Sequence, residues 1–485
     1  MKKHLLTLAI LATVIASACK KDEQNPASGQ FLGRNVGAGT LPSCADSVIK
    51  GQITSNLYLS NTKKYTLKGI VSVVNNATIK IAPGAVIQGD TLLDASSANP
   101  VKPGTLVVTR GSKIDAQGTD TAPIVFTSKK ATGSRLAGDF GGIIILGKAP
   151  NNQSTNQGIE GLDPIAPFDN KYGGTDAADN SGTLKYVRIE YAGYVLSPNN
   201  EINGLTFGSV GSGTTIDFVQ VTNSFDDSFE FFGGTVNAKH LVSVSARDDD
   251  FDFDFGYSGK IQFAVAVRNP NAADASASNM IECDNDATGS TNTPQTKPVL
   301  SNFTLVGVQT QTEASATTLG PGPLNDGKFG RGNHWRRNSN LIMANSVIFG
   351  LNDGAYFDSQ NVIDKYCAGN FHHNLVHGFV KAIATTGGAP VCTIPTTGAD
   401  SYSNTLYTGA NPNTSIKLVS PFYSTSGCAD FRPSIGSPAL SGASFTGDLT
   451  NAFFTSTTYR GAFAAGTNWL ANWANCNPQN TVYCQ

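Results

Sequence analysis

Short runs of β-branched and other apolar residues recur along most of the chain, and each run is closed by Gly, Asn, Asp or Pro. Examples are Gly104–Val108, Pro123–Phe126, Gly142–Leu146 and Ile261–Val267. Successive runs begin roughly 20 to 25 residues apart in most places, a period typical of solenoids. Because the runs contain Val, Ile and Thr rather than helix formers, they predict stacked parallel strands and not helical repeats. The repeats are too long for a string of immunoglobulin-like sandwiches.

The same pattern divides the chain into four parts. Residues 1–18 have the features of an export signal, and residues 19–45 are polar, Gly-rich and aperiodic, as in a flexible tether. Residues 46–426 carry the strand runs. We expect residues 427–485 to form a last coil and a cap. Trp469 and Trp473 lie four positions apart in this part, as they would on one turn of a covering helix.

The first residues resemble a bacterial lipoprotein signal. Lys2 and Lys3 precede an apolar run from Leu5 to Ile15, which is too short to span a bilayer, and small residues lead to Cys19. The resemblance implies that Cys19 is lipidated and anchors the chain to a membrane. The sequence Lys20–Glu23 resembles the tag that sends lipoproteins of the Bacteroidota to the outer face of the outer membrane, so we expect the protein to face the cell exterior.

The body of the chain resembles right-handed parallel β-helices of the pectin-lyase-like superfamily. The similarity is carried by the stretches 77–89, 104–118, 138–150 and 204–215. They are similar to an uncharacterised family of exported lipoproteins of the Bacteroidota, over about residues 65 to 475. The resemblance implies an all-β right-handed parallel β-helix that serves as a binding or structural module. It also implies an accessory role in TonB-dependent uptake of glycans, with a polysaccharide or the transporter as partner.

Charge excludes one class of partner. The chain has 34 basic and 36 acidic residues, for a net charge of −2, and only 14% of its residues are charged. A nucleic-acid-binding protein would present a basic surface, so no nucleic-acid partner is expected.

The cysteines suggest two disulfides. Cys476 and Cys484 bracket a turn-like stretch and are predicted to pair. Cys367 and Cys392 lie about one coil apart, which brings them within disulfide range on neighbouring strands about 4.8 Å apart. Cys44, Cys283 and Cys428 cannot be assigned, and an odd number remains once Cys19 is lipidated.

Two acidic and aromatic stretches, 223–234 and 246–256, align at an offset of 22 residues. The preceding strands fit an offset of 23, which predicts a one-residue irregularity between them. The period of two within each stretch predicts that the phenylalanines stack inward and that the acids between them point outward. The predicted inward residues are Phe229, Phe231, Phe251, Phe253 and Phe255.

The acids of these stretches form a predicted ladder on adjacent coils. Three outcomes remain open: the acids cap turns by accepting backbone hydrogen bonds, they bind Ca²⁺, or they catalyse a reaction. Calcium is the expected cofactor if one is bound, since it prefers oxygen ligands in irregular sets. The predicted ligands are Asp226, Asp227, Asp248, Asp249 and Asp250.

An enzymatic function, as an extracellular polysaccharide lyase or glycoside hydrolase, is the alternative. Two carboxylates could act as acid and base on a glycosidic bond. The Gly-His-Gly and Arg-x-Lys motifs of polygalacturonase-like hydrolases are absent, and a lyase would need a basic residue, for which Arg247 or Arg268 are weak candidates. We therefore name no catalytic residue.

Two weaker motifs complete the sequence predictions. Trp335 beside Arg336 and Arg337 predicts a ligand-binding loop if the indole is exposed, or packing of the indole against the solenoid if it is not.

The second motif is a group of three histidines, His372, His373 and His377, which resembles a metal cluster. On a strand, His373 and His377 share a face while His372 points away, so zinc binding would need another ligand.

Overall fold

The computed structural model describes residues 41–93, 101–153, 155–162, 167–197, 200–320 and 326–484. Residues 1–18, Cys19 and nearly all of the predicted tether lie outside these ranges. Within them the first half of the chain forms short strands, because its β-branched runs are separated by turn residues. These strands are β1 (Ser43–Ile53), β2 (Leu57–Leu59), β3 (Lys63–Val73), β4 (Thr78–Ile81), β5 (Val86–Asp90), β6 (Leu92–Leu93), β7 (Val101–Lys102), β8 (Gly104–Val108), β9 (Lys113–Gln117), β10 (Ile124–Ser128), β11 (Phe140–Leu146), β12 (Gln157–Gly158), β13 (Lys171–Tyr172), β14 (Gly182–Glu190), β15 (Tyr194–Ser197), β16 (Asn200–Ile202), β17 (Leu205–Gly208), β18 (Thr215–Thr222) and β19 (Phe229–Phe232).

The second half continues in the same way and adds three short helices. Its strands are β20 (Asn237–Val244), β21 (Phe251–Asp254), β22 (Lys260–Val267), β23 (Ile281–Cys283), β24 (Val299–Val306), β25 (His334–Trp335), β26 (Ile342–Ala344), β27 (Val347–Phe357), β28 (Phe371–His372), β29 (Leu375–Thr385), β30 (Gly398–Ala399), β31 (Thr405–Thr408), β32 (Leu418–Ser420) and β33 (Asp430–Pro433). The α-helices are α1 (Gln311–Ala314), α2 (Gln360–Cys367) and α3 (Pro412–Ile416), and single 3₁₀ turns occupy Pro438–Leu440, Gly447–Thr450 and Pro478–Asn480.

The strands pair in parallel into three long sheets that wrap around one interior. The first sheet has the order β1, β3, β5, β10, β14, β18, β20, β22, β24, β27, β29, β31. The second has the order β1, β3, β8, β11, β17, β19, β21, β23, β25, β27, β29. The third runs β2, β4, β9, β14, β18, β20, β22, β24, β26, β28. This is the predicted all-β parallel β-helix.

The two coils that contain the stretches 223–234 and 246–256 are offset by 22 residues on both the first and the second sheet. Phe229 pairs with Phe251, and on the first sheet Val219 pairs with Leu241. The predicted offset of 23 for the preceding strands, and the irregularity that it required, are therefore wrong. Val242 and Val244 alternate with the interior-facing residues and pack on the outer side of the first sheet, against the C-terminal part of the chain.

One corner of the coil is marked by a column of left-handed residues, here called the corner ladder. Non-glycine residues with positive φ are uncommon, yet this corner uses one in successive coils. In β14, β18, β20, β22 and β24 the left-handed residue lies within the strand, so that one strand bends and serves two sheets. In the last coils it lies in the short gap beside a strand. The members are Tyr186, Phe218, His240, Phe263, Asn302, Asn345, His373 and Ser403, with φ between 50° and 63°.

The last residues of the chain pack along the side of the solenoid. Residues 438–484, here called the returning segment, run back along the outer side of the solenoid. Contacts with progressively earlier coils are the hydrogen bonds Asn345–Ser444 (2.9 Å), Gln262–Thr455 (2.7 Å), Gln220–Asn475 (2.9 Å) and Tyr191–Gln479 (2.8 Å). Trp473 is fully buried against the side of the solenoid, where it meets the Tyr186 and Phe218 rings edge-on.

The course of the returning segment explains the disulfides. Cys367 is bonded to Cys392, the pair that coil spacing indicates. The predicted Cys476–Cys484 pair is wrong. Cys476 is bonded to Cys428, and Cys484 is bonded to Cys44 on the first strand. The returning segment passes the hairpin of β32 and β33, where Cys476 meets Cys428, and then reaches the first coil, where Cys484 meets Cys44. Both pairs join residues that are far apart in the sequence. Cys283 is free and buried.

In the described part of the chain, no helix has the length and apolar character needed to cross a membrane.

Candidate functional site

The predicted ladder lies on the second sheet, on β19 and β21 and in the turns that precede them. Phe229, Glu230 and Phe231 pair in register with Phe251, Asp252 and Phe253. The inner rings stack, with centroids 5.3 Å apart for Phe229 and Phe251 and 5.2 Å apart for Phe231 and Phe253. All four rings are fully buried. The strand geometry thus fixes the acids between them on the outer face.

Phe255 departs from this pattern. Its φ is 50°, so the strand alternation ends at Asp254 and the ring turns to the outer surface. There it packs on Phe232, with ring centroids 5.5 Å apart. The prediction that Phe255 stacks inside is therefore wrong.

The ladder continues onto a third coil that the sequence comparison did not include. Asp252 pairs with Glu282 and Phe253 with Cys283, at an offset of 30 residues rather than 22. The signal was present as the alternation Ile281–Glu282–Cys283–Asp284. It was missed because the intervening loop is longer and because Ile and Cys replace the phenylalanines.

These coils and two neighbouring insertions form one acidic cleft with a volume of about 500 Å³. Glu160 lies in the insertion between β11 and β14, and Glu201 lies on β16 of a hairpin. Short motifs gave no indication that these residues approach the ladder. The cleft is lined by eleven carboxylates: Glu160, Glu201, Asp226, Asp227, Glu230, Asp248, Asp252, Asp254, Asp274, Glu282 and Asp284.

The carboxylates approach closely enough to share a ligand. In each of three groups, one oxygen per residue lies within 4.8 Å of the oxygens of the other two. Asp227 and Asp252 each belong to two groups, which links all three into one cluster. The groups are Asp226–Asp227–Asp248, Asp227–Glu230–Asp252 and Asp249–Asp252–Glu282.

Part of the ladder also caps turns. Asp227 accepts a hydrogen bond of 2.7 Å from the backbone N–H of Asp249, and Asp249 accepts one from the backbone N–H of Asn279. The Oδ1 atom of Asp252, by contrast, is buried and has no hydrogen-bond partner. Turn capping therefore accounts for some of the acids and leaves Asp252 unexplained.

Asp250 does not belong to the cleft, although the sequence predicts it as a metal ligand. It is fully buried, and its Oδ2 lies 2.9 Å from Nε of Arg268. Its Oδ1 accepts a hydrogen bond of 2.5 Å from Ser243. Asp250 lies in the turn before β21, where strand alternation does not apply, and its side chain points inward. Arg268 neutralises its charge there, which removes Asp250 from the ligand set.

Burial and mutual repulsion disfavour the charged form of the cleft acids. Burial, followed by the neighbouring carboxylates, raises the pKa of Asp226, Asp227 and Asp252 well above the ordinary value. Burial and the charge of Asp274 raise the pKa of Asp248 to about 7. Burial and the charge of Glu201 raise the pKa of Glu160 to about 7. The cleft therefore favours the uptake of protons or of a cation.

One end of the cleft is closed by arginines. Arg336 pairs with Glu282 and lies 3.2 Å from Asp284, and Arg337 lies 2.9 Å from Asp284. The pKa of Glu282 lies below its ordinary value despite burial, because the His334 imidazole 3.6 Å away and then the Arg336 and Arg337 guanidinium groups favour its charged form. Of the described residues that line the cleft, Arg337 is the one cationic side chain.

The Trp335 indole is not an exposed ligand platform. Trp335 is fully buried, in register with Cys283, and its ring packs on Phe357 with centroids 5.0 Å apart. Because residues alternate along β25, the inward Trp335 places His334 outside. The predicted ligand-binding motif is thus divided between the interior and the cleft.

Arg247 and Arg268, the weak candidates for a catalytic base, both have other roles. The Arg268 guanidinium is buried against Asp250 and backbone carbonyls, including that of Ala246 at 3.2 Å. The Arg247 guanidinium is buried and lies 4.3 Å from the centre of the Phe225 ring. Neither arginine is among the described residues that line the acidic cleft.

Comparison with known proteins agrees with the architecture. Residues 51–406 match the family model described as a pectate-lyase like β-helix domain. The match covers more than half of the chain, and the chain belongs to this family. No curated protein matches the chain. The family description indicates a carbohydrate-related role or a binding module.

Proposed function

We propose that the protein is a binding module whose acidic cleft holds Ca²⁺. The observation that carries the proposal is the linked set of three carboxylate groups with oxygens within 4.8 Å of one another. Two like charges about 4 Å apart repel by roughly 4 kcal/mol at an effective dielectric constant of 20. A divalent cation converts this repulsion into attraction.

The donor set favours calcium over other cations. The ligands available in the cleft are carboxylate oxygens from several coils and loops, so their arrangement is irregular. Ca²⁺ tolerates such an arrangement because it accepts six to eight ligands, whereas Mg²⁺ requires a near-ideal octahedron. Zinc and copper prefer nitrogen and sulfur, and the described lining contains neither a histidine nor a cysteine. Asp226, Asp227, Asp248 and Asp249 remain from the sequence prediction, with Glu230, Asp252 and Glu282 added.

We further propose that bound calcium attracts an anionic ligand of the carbohydrate class. The cleft falls within the size range of small-ligand sites. Phe225, Phe232 and Phe255 supply aromatic surface at its walls, and the family description points to carbohydrate. The carboxylate of a uronate sugar would supply the Ca²⁺ ligands that the protein side chains do not provide.

Location and partners extend this proposal. The lipoprotein-like signal at Cys19 supports attachment to the outer membrane with the domain outside the cell. A surface-anchored module of this kind would present acidic glycans to a TonB-dependent uptake system.

Catalysis is the second candidate, and one observation favours it. Carboxylate oxygens within 4.8 Å of one another lie close to the roughly 5 to 5.5 Å separation found in retaining glycosidases. A lyase mechanism has less support, because Arg337 is paired with Asp284 and no other basic side chain lines the described cleft.

The test is a thermal unfolding series in calcium and in chelator. At a hundredfold excess over its dissociation constant, calcium should stabilise the fold by roughly 2.7 kcal/mol. Asp252→Asn should diminish this effect, since Asp252 belongs to two carboxylate groups. Asp364→Asn, on an exposed face of α2, is the matched control. Identical melting curves of the wild-type protein in millimolar calcium and in chelator would show the calcium proposal to be wrong.

Two further measurements separate binding from catalysis. Acidic polysaccharide should retain the protein in calcium and release it in chelator, without a change in polymer length. New reducing ends or unsaturated products, lost in Asp252→Asn, would instead establish the enzymatic alternative.

A further inference from the structure

A second site lies at the other end of the solenoid, where two consecutive histidines meet. His372 ends β28 and His373 is the next residue, a member of the corner ladder with φ of 57°. On a regular strand their side chains would point to opposite faces. The left-handed residue cancels that alternation and brings the two Nδ1 atoms to 2.9 Å, with the rings nearly perpendicular at 87°. The expectation that the two residues point apart is therefore wrong.

The two imidazoles open into a cavity of about 360 Å³ between the last coils and the returning segment. Its described lining shares no residue with the acidic cleft. Besides the histidines it offers hydroxyl groups, one carboxylate and one side-chain amide. These polar residues are Ser401, Tyr402, Ser403, Thr446, Asp448 and Asn370.

The separation of the two nitrogens matches a particular coordination geometry. Two nitrogens each about 2.0 Å from one ion are about 2.8 Å apart when they bind at right angles, and about 3.3 Å apart in a tetrahedron. Right-angled nitrogen and oxygen ligands are typical of Cu²⁺ and Ni²⁺. A hydrogen bond between two neutral imidazoles would give the same distance, so the experiment must separate the two cases.

The surroundings keep the pair available to a cation. Burial, followed by the charge of His373, lowers the pKa of His372 to about 4, and burial and Arg460 lower the pKa of His373. The nearby Asp400 is saturated by hydrogen bonds from Tyr366, Tyr402 and Asn404. The Asp448 carboxylate is half exposed, and Lys297 lies 3.4 Å away.

We propose that His372 and His373 bind one Cu²⁺ ion through their Nδ1 atoms, with water from the cavity supplying the remaining ligands. The site is independent of the acidic cleft, because its donors are nitrogens and the cleft offers only oxygens. Calcium should therefore not compete for it.

The test is Cu²⁺ binding to the full-length chain in saturating calcium, which keeps the acidic cleft occupied. Titration calorimetry should give one copper ion, and the electron paramagnetic resonance spectrum should show coupling to two imidazole nitrogens. His372→Asn and His373→Asn should each weaken binding at least about tenfold. Asparagine is chosen because it tolerates the left-handed conformation, as Asn302 and Asn345 do in the preceding coils.

The control is His377→Asn, which removes a histidine four residues away. Its Nε2 lies 2.8 Å from the Gly409 carbonyl oxygen, and the residue is buried, so copper binding should be unchanged. If a variant fails to fold, as judged by its melting curve without metal, the wild-type spectrum decides the question. Absence of nitrogen coupling, or copper binding that survives both His372→Asn and His373→Asn, would overturn the proposal.

Discussion

Glu230 lies directly opposite Asp252 in the parallel register of neighbouring coils, so two carboxylates stand side by side on the outer face of the second sheet. Like charges at directly opposed positions destabilise a sheet. The residues that follow them, Phe231 and Phe253, stack on the inner face with centroids 5.2 Å apart. Burial of the aromatic column offsets the repulsion and holds the acids at fixed spacing.

The inner column predicts a large and position-specific loss of stability. Phe253→Ala should lower the free energy of unfolding by about 3 to 5 kcal/mol, because it leaves a cavity inside the solenoid. Phe255→Ala, two residues on but on the outer surface, is the matched control and should cost clearly less. Urea unfolding of both variants measures the difference. Equal losses would show that the assignment of inner and outer faces is incorrect.

The raised pKa values of the cleft acids predict an unusual pH dependence in chelator. Asp248 and Glu160 have pKa values of about 7 when folded and lower values when unfolded. Between about pH 4 and pH 7 the folded state therefore binds more protons, so their contribution to stability falls as pH rises through 7. Calcium should remove this pH dependence of the stability, because the bound ion replaces the protons on the Asp248 and Glu160 carboxylates.

The measurement is the calcium-induced shift in melting temperature at pH 5.5 and at pH 8. His372, His373 and His377 have lowered pKa values and act in the opposite direction, losing stability as pH falls. The histidines change the melting temperature equally with and without calcium, so their effect cancels in the calcium-induced shift. The shift should be larger at pH 8. A shift that is larger at pH 5.5 would contradict the assignment of raised pKa values to the calcium ligands.

Peptide mapping without reduction should recover the disulfides Cys44–Cys484, Cys367–Cys392 and Cys428–Cys476. Cys283 should react with an alkylating reagent only after unfolding, since its thiol is buried. Replacing Cys44 and Cys484 by serine should cost about 2 to 5 kcal/mol. A Cys476–Cys484 peptide would instead support the pairing expected from sequence.

The signal at Cys19 predicts that the protein is lipidated and faces outward. Protease treatment of intact cells should remove the domain, and Cys19→Ser should abolish labelling by a fatty-acid analogue. A periplasmic protein serves as the protected control. Equal protection of both proteins would contradict outward exposure.

The coil architecture could be predicted because it depends on local information. The β-branched runs, their spacing and the alignment of 223–234 with 246–256 specify strands, stacking and register. The acidic cleft could be predicted only in part. Glu160 and Glu201 reach it through insertions whose course depends on tertiary packing, and Asp250 turns inward because Arg268 lies there.

Single left-handed residues account for two further errors. Phe255 and His373 each directly follow a strand and have positive φ although neither is a glycine, so the strand alternation does not extend to them. The cysteine pairing failed for a different reason. Contacts of the returning segment join residues up to 440 positions apart, which spacing cannot reveal.

The bond between Cys44 and Cys484 converts nearly the whole described chain into a covalent ring. Cutting a ring once gives a single linear molecule and not two pieces. A protease that nicks one surface loop thus cannot release either fragment, and the sheets on both sides of the nick keep each strand beside its neighbour. Two separate cuts are needed before any part of the domain can diffuse away.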